Sequence, residues 1–503
     1  MNTRRDILKA SVALALGTSL GTALAAFDPD QPKPGAPAEP VPATPGPKVS
    51  GPVTGGKHGR PFASYLGDIS EIGYVEEEYF IEGEASVYEF IGEFPTDGRF
   101  NVKRAGTQPY KTRLLVRRPA DPAKFNGTVL VEWINVSAGF DIATCDPTGI
   151  YEGFAWVAVS AQRVGLHGYT APTNPALPTD KGLCDWDPER YSSLSIPGDS
   201  LSYDIFTQGA RTVGPDRSGA VDPLGGLEVR KMVAIGASQS GVRLVSYVNG
   251  VQPLENVFDA VMPMVFFGFS ASWIDGDLFS AQASAGPVQA GSSPIRNDIS
   301  TKVFGLNTEP EAAAALPVRQ PDTEFFRYWE IAGAGHGGTA SGQRIDKILR
   351  RDGVAAPPAA PPAENTFRSN DVLWHPTCAA AIHQVHRWIN GGEPPPVHPL
   401  IEFDVSVMPP QPKLDEYGNA LGGVRLPELE VPIARYDGST EASPLGGQMF
   451  PFTPEQLKSL YPTHTDYVAK VTAAAEKALQ DGVILPYRVQ EYIAMAQAAA
   501  IPG

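Results

Sequence analysis

A chain of 503 residues is long enough for one large core with insertions or for two to three smaller domains. With 42% hydrophobic and 19% charged residues it is neither a wholly disordered polymer nor a membrane-embedded one. The formal net charge of -16, with no dense cluster of lysine or arginine, argues against a nucleic-acid partner, whose phosphates need a basic surface.

The amino terminus reads Thr3-Arg4-Arg5-Asp6-Ile7-Leu8-Lys9, then an apolar run over about 10–24 that closes on Ala23-Leu24-Ala25. A basic start, an apolar stretch too short and too often interrupted by Gly, Ser and Thr to span a membrane, and an A-x-A site predict a signal peptide over residues 1–25. The alternative is an uncleaved anchor helix. The paired arginines are similar to those of twin-arginine signals, which carry folded proteins across the bacterial inner membrane. The expectation is therefore a periplasmic or secreted protein with the twin-arginine export machinery as a transient partner and no stable membrane span after cleavage. Residues 26–52 are crowded with Pro, Ala and Gly and hold almost no large apolar residue, which predicts a flexible tether and a folded domain over 53–503. Cys145, Cys184 and Cys378 lack the paired C-x-x-C spacing of zinc, haem or iron-sulfur ligation, so neither a metal nor a cofactor is expected. An oxidising compartment admits one disulfide with one thiol left over, and Cys145 with Cys184 is the preferred pair because both lie in loops near one segment.

No repeat of 20 to 50 residues is visible. Upstream, 73–90 and 111–118 read as antiparallel strands, an edge often added to a parallel sheet. From residue 128 onward, short runs rich in β-branched and aromatic residues, at 128–133, 155–160, 231–235, 260–265, 302–306 and 326–331, alternate with helical patterns. That alternation predicts an α/β fold built on a mostly parallel, doubly wound sheet. Inserted segments at about 164–200 and 270–300 are placed to form a cap or lid over its carboxyl edge. The Pro-rich stretches 355–362 and 394–399 read as surface linkers, and 379–389 and 467–479 as helices.

The most informative window is Val233-Ala234-Ile235-Gly236-Ala237-Ser238-Gln239-Ser240-Gly241, a strand turning sharply into a helix over about 242–248. A nucleophile elbow needs small residues two before and two after its serine, because the turn is strained and neighbouring backbone passes close by. Gly236 and Ser240 fill those places, so the motif departs from strict G-x-S-x-G in its last position. Ser238 is the candidate nucleophile, with Ser240 or a purely structural turn as the alternatives. In this arrangement the helix directs backbone N–H groups at a developing oxyanion.

A serine hydroxyl needs a base, and in the α/β-hydrolase fold the chain order is Ser, acid, His. His336, in Ile331-Ala332-Gly333-Ala334-Gly335-His336, ends a strand in a glycine-lined loop and is the candidate base. His375, His383, His386, His398 and His464 lie in Pro-flanked loops or on helical patterns and fit capping or solvent-facing roles. The acid that orients the imidazole is sought in Asn307-Thr308-Glu309-Pro310-Glu311, where spacing alone does not decide between Glu309 and Glu311. The second oxyanion donor comes from the loop Asn135-Val136-Ser137-Ala138-Gly139-Phe140, so the N–H of Val136 or a close neighbour would join that of Gln239.

These windows, with Val131-Glu132-Trp133-Ile134-Asn135-Val136-Ser137, Ser202-Tyr203-Asp204-Ile205-Phe206 and Gly418-Asn419-Ala420-Leu421-Gly422-Gly423-Val424-Arg425, resemble a bacterial family of α/β-hydrolase domain proteins over nearly all of the chain after about residue 70. The resemblance implies a serine-hydrolase site at Ser238 and His336, with the acid in the Thr308-Glu309 block, and on that ground Glu309 leads and Glu311 stands close behind. It fixes no substrate; the leading expectation is hydrolysis of a small-molecule carboxylic ester through an acyl-enzyme. Lactone or amide hydrolysis would use the same parts. A non-catalytic binder on the same scaffold would have lost the serine or the histidine, and a cofactor-loaded oxidoreductase would show a dinucleotide, haem or cysteine motif. Trp133, Phe266, Phe267 and Trp273 are aromatic candidates for an acyl pocket, with core packing as the competing role.

Overall fold

The structure is a computed structural model that describes residues 46–92, 95–143, 150–169, 182–271, 273, 293–337, 339–354 and 368–501. Among these residues nine strands form one sheet: β1 (Lys48–Ser50), β2 (Tyr74–Phe90), β3 (Val102–Pro119), β4 (Thr128–Trp133), β5 (Ala155–Val159), β6 (Lys231–Ala237), β7 (Ala260–Met264), β8 (Lys302–Thr308) and β9 (Phe326–Ile331), in the order β1-β2-β3-β5-β4-β6-β7-β8-β9. β1 to β3 pair antiparallel, β3 meets β5 antiparallel, and every pairing from β5 to β9 is parallel. This is the mostly parallel, doubly wound sheet with an antiparallel amino-terminal edge that the sequence predicts.

The strands read as continuous apolar runs because both faces of the sheet are covered. Alternate side chains leave on opposite faces. Val129, Val131 and Trp133 of β4 pack with Val157, Val159, Tyr203 and Phe206 on one side. Leu130 packs with Trp156, Val233, Ile235, Met262 and Trp329 on the other. Each such side chain contributes roughly 1.5–3 kcal/mol on burial. The first face is covered by α1 (Ser202–Thr212) and α2 (Gln239–Ser246), and α3 (Glu309–Ala314) follows β8 directly. The second face is covered by α4 (His375–Ile389), α5 (His464–Gln480) and α6 (Pro486–Ala498). No helix of the described residues is long and apolar enough to cross a membrane.

Three boundaries differ from expectation. β1 lies inside the stretch read as a tether, so ordered structure begins before residue 53. It is held by backbone pairing to 80–82 and by a 2.7 Å ion pair between Lys48 and Glu82, neither of which leaves an apolar pattern in the sequence. β3 starts at Val102 rather than 111, because its first half is a largely exposed ribbon on β2. Helices α2, α4 and α5 begin three or four residues early, since their first turns carry polar or proline residues and the apolar period starts only after them.

The described part of the 164–200 insertion is built into the body of the domain. Leu183, Tyr191, Leu194 and Ile196 are buried, Arg190 Nε lies 2.6 Å from the buried Glu78, and the Tyr191 hydroxyl donates to Glu78 at 2.8 Å. The Cys184 thiol lies 3.2 Å from the Tyr191 carbonyl, while Cys145, its expected partner, is outside the described residues. So are the signal peptide at 1–25, the tether up to 45, the stretch 355–362 and most of the 270–300 insertion.

Candidate active site

β6 ends at Ala237 and α2 begins at Gln239, which leaves Ser238 alone to make the turn, at φ 62 and ψ -123. A non-glycine residue there is strained, and the neighbours show what holds it. The Ser238 N–H donates to Met264 O at 2.9 Å, and Val242 N–H donates to Ser238 O at 3.0 Å. A Cβ on Gly241 would lie 2.6 Å from Met264 O, so the residue that must be glycine is one place later than in the strict motif. Ser240 is tolerated because its hydroxyl turns back on the strand, donating to Ala237 O at 2.9 Å and accepting from Ala237 N at 3.1 Å. That use inside the turn sets Ser240 apart from Ser238.

Two side-chain links fix the elbow from behind. Asn135 Nδ2 donates to Ala237 O at 3.0 Å and ties the loop after β4 to the strand end. Gln239 Nε2 donates to Gln162 Oε1 at 2.7 Å, which also accepts from Trp133 Nε1 at 3.0 Å. Gln162 Nε2 in turn donates to Asp199, which is paired with the buried Arg243 at 3.2 Å. A buried network of this kind locks the direction of the α2 amino terminus, whose first N–H groups have no intrahelical acceptor. The 135–142 loop is clasped by reciprocal bonds between Asn135 and Ile142. Within it the Ser137 N–H is held by Asn135 Oδ1 at 2.8 Å and the Gly139 N–H by Val136 O at 2.9 Å. That leaves the N–H of Val136, the expected donor, and of its close neighbour Ala138 outside these bonds, in the loop that follows β4 as Gln239 follows β6.

His336 sits past the end of β9, with its side chain 16% exposed, enough to meet a ligand. Its Nδ1 lies 2.8 Å from Glu311 Oε1. The other oxygen of Glu311 accepts from the Thr308 N–H at 3.3 Å and from the Thr308 hydroxyl, in the reciprocal arrangement of a capping box on α3. Trp374 Nε1 donates to His336 O at 3.0 Å, and the Phe267 ring stacks on the imidazole with centroids 5.6 Å apart.

The preference for Glu309 over Glu311 is corrected by this geometry. Glu309 is buried away from His336 and accepts two backbone N–H bonds, from Gly333 at 3.0 Å and from Gly438 at 3.1 Å. Burial raises its pKa to about 7 against those two bonds. One signal could have separated the pair: Thr308 and Glu311 have the T-x-x-E spacing of a capping box, which aims the second glutamate back toward the strand end. The other histidines are engaged elsewhere: His386 with Thr128 at 2.8 Å, His383 near Glu152 at 3.6 Å, His464 with Ala496 O at 3.0 Å, and His375 and His398 against Trp374 and Trp329. Among the described residues no group of three or more His, Cys, Asp or Glu side chains is arranged to hold a metal ion.

A serine in a strained strand-to-helix turn, followed along the parallel strands by a buried glutamate and a histidine at one sheet edge, defines the α/β-hydrolase class. The chain belongs to the alpha/beta hydrolase domain family, whose model matches residues 49–494, and hydrolysis is thereby its class of chemistry. Solved structures similar to it include a glucuronoyl esterase from Solibacter usitatus, 11% identical, covering 59% of this chain and 83% of that one at a TM-score of 0.25. Another is an acetyl xylan esterase from Paenibacillus sp. R4, 13% identical, covering 54% and 88% at a TM-score of 0.27. Among curated proteins none matches the chain.

Proposed function

We propose that the protein is an exported serine hydrolase that cleaves a carboxylic ester through an acyl-enzyme on Ser238. The observation that carries the reading is the 2.8 Å contact between Glu311 and His336 Nδ1 at the edge that also bears the strained Ser238. With Nδ1 held by the carboxylate, the neutral imidazole presents the Nε2 lone pair as the base. In this scheme His336 takes the Ser238 proton as Oγ attacks the ester carbonyl, and the oxyanion is met by the N–H of Gln239 and that of Val136 or Ala138. His336 then protonates the departing alcohol, and water, activated by the same imidazole, releases the acid. Glu311 orients the ring and stabilises its charged form. One oxyanion donor is worth about 100- to 1,000-fold in turnover, so the fixed direction of α2 and of the 135–142 loop matters as much as the side chains.

The test is reaction of the mature protein with a fluorophosphonate, with hydrolysis of short-chain p-nitrophenyl esters followed in parallel, in wild type and Ser238→Ala. Labelling and turnover present in the wild type and absent from the variant are expected. A folded wild type that is not labelled would leave a binding protein on a hydrolase scaffold.

A further inference from the structure

Between β7 and the 270–300 insertion the backbone makes one strained turn and one that only glycine fits. Val265, a β-branched residue, stands at φ 42, and Gly268 at φ 72, where a Cβ would lie 2.8 Å from both Ala315 Cα and Val318 Cγ2. The segment is pinned in this shape: Val265 N–H donates to Leu306 O at 2.6 Å and Phe266 N–H to Asn307 Oδ1 at 2.8 Å. Further along, Ser293 N–H donates to Gly268 O at 3.0 Å and the Ser246 hydroxyl to Ala271 O at 3.1 Å. Phe266 turns into the core against Tyr328. Phe267 and Phe269 pack against the core with only part of their surface. Both remain partly exposed, stacked with centroids 6.0 Å apart and planes 22° apart, and Phe267 lies over the His336 ring at 5.6 Å and 26°.

Strained backbone that leaves two stacked aromatic rings partly exposed beside a candidate base is the pattern expected at a ligand contact. The position tells which part of the ligand it meets. In acyl transfer the serine–acyl bond forms as the acyl–oxygen bond breaks, and the proton taken from serine passes from the imidazole to the alcohol oxygen. That oxygen must come within hydrogen-bond reach of His336 Nε2, so the alcohol skeleton begins beside the imidazole, on whose face Phe267 lies. We propose that Phe267 and Phe269 form the leaving-group subsite and that the substrate is an ester of an alcohol bearing an aromatic ring, which stacks on this platform. The proposal rests on the serine-hydrolase reading of the site and adds the class of alcohol to it.

The experiment compares kcat/KM for benzyl acetate and cyclohexylmethyl acetate, which share an acyl group and differ in whether the alcohol ring is aromatic. The acyl-enzyme is common to both, so the ratio reports only the steps up to alcohol release. The expected result is a preference for benzyl of about 2- to 12-fold, the range that one aromatic pair supplies. Phe269→Leu, which spares the ring over His336, is expected to abolish the preference, and Phe269→Tyr to keep it. Equal rates for the two esters in the wild type, or a preference that survives Phe269→Leu, would overturn the subsite. The fluorophosphonate gives the separate reading: its leaving group is fluoride and needs no alcohol subsite, so labelled wild type without benzyl preference sinks this inference alone. Unlabelled wild type sinks the reading beneath it.

Discussion

Glu309 and Glu311 differ by two positions in sequence and by everything in surroundings. Glu311 divides its oxygens between His336 and Thr308, so its carboxylate is aimed by the same helix start that it caps. Substituting Gln keeps the shape and one acceptor but lets the amide present N–H to Nδ1, which favours the wrong tautomer. Glu311→Gln is therefore expected to lower kcat on the order of 10,000-fold with KM little changed, read with p-nitrophenyl acetate. A loss below tenfold would show that the contact is structural only. At this scale the sequence was legible where chemistry is local: the elbow at Ser238, its helix, and the glycine-lined loop of His336. The choice between the two glutamates was not read. The capping-box spacing bears on it, whereas the backbone partners of Glu309 lie 24 and 129 residues away and leave no trace near it.

Those distant partners give Glu309 its place at the scale of elements. It joins the start of α3 to the His336 loop through Gly333 and to the segment after Ala434–Asp437 through Gly438. A buried carboxyl with no cation beside it prefers to hold its proton, and its pKa moves from 4.5 to about 7. The folded protein thus binds one more proton than the unfolded chain between those values. The associated stability is complete below about pH 4.5 and is lost as pH rises through about 7, by about 3 kcal/mol in all. Glu309→Gln removes the titration. Urea unfolding at pH 5 and pH 8 is expected to show a larger fall in the wild type than in the variant, and parallel falls would mean that Glu309 titrates normally. The same contrast governs what was legible of the elements. β4 to β9 announce themselves because both faces are buried and each run is mostly apolar, whereas β1 rests on backbone pairing and the helix starts on polar first turns.

For the molecule as a whole, the candidate site is assembled from positions 136, 238, 311 and 336, which follow β4, β6, β8 and β9, strands of one sheet separated by long stretches of chain. None of the four can be in place until the central sheet has closed, and β3, whose partner β5 follows β4 only after a crossover, ties that closure to the amino-terminal edge. Long-range parallel pairing is slow to form, and its unpaired strands are exposed to aggregation meanwhile. A chain with this topology gains from folding before it crosses a membrane, which is what the proposed export through a twin-arginine signal at Arg4-Arg5 would provide. Replacing both with Lys is expected to keep the full-length precursor in the cytoplasm, and that retained precursor is expected to be labelled by a fluorophosphonate, because the site is complete before export. Fractionation followed by labelling checks both halves. Periplasmic mature protein from the Arg4→Lys/Arg5→Lys chain would mean export by an unfolded route, and a retained but unlabelled precursor would mean that the sheet closes only after transport.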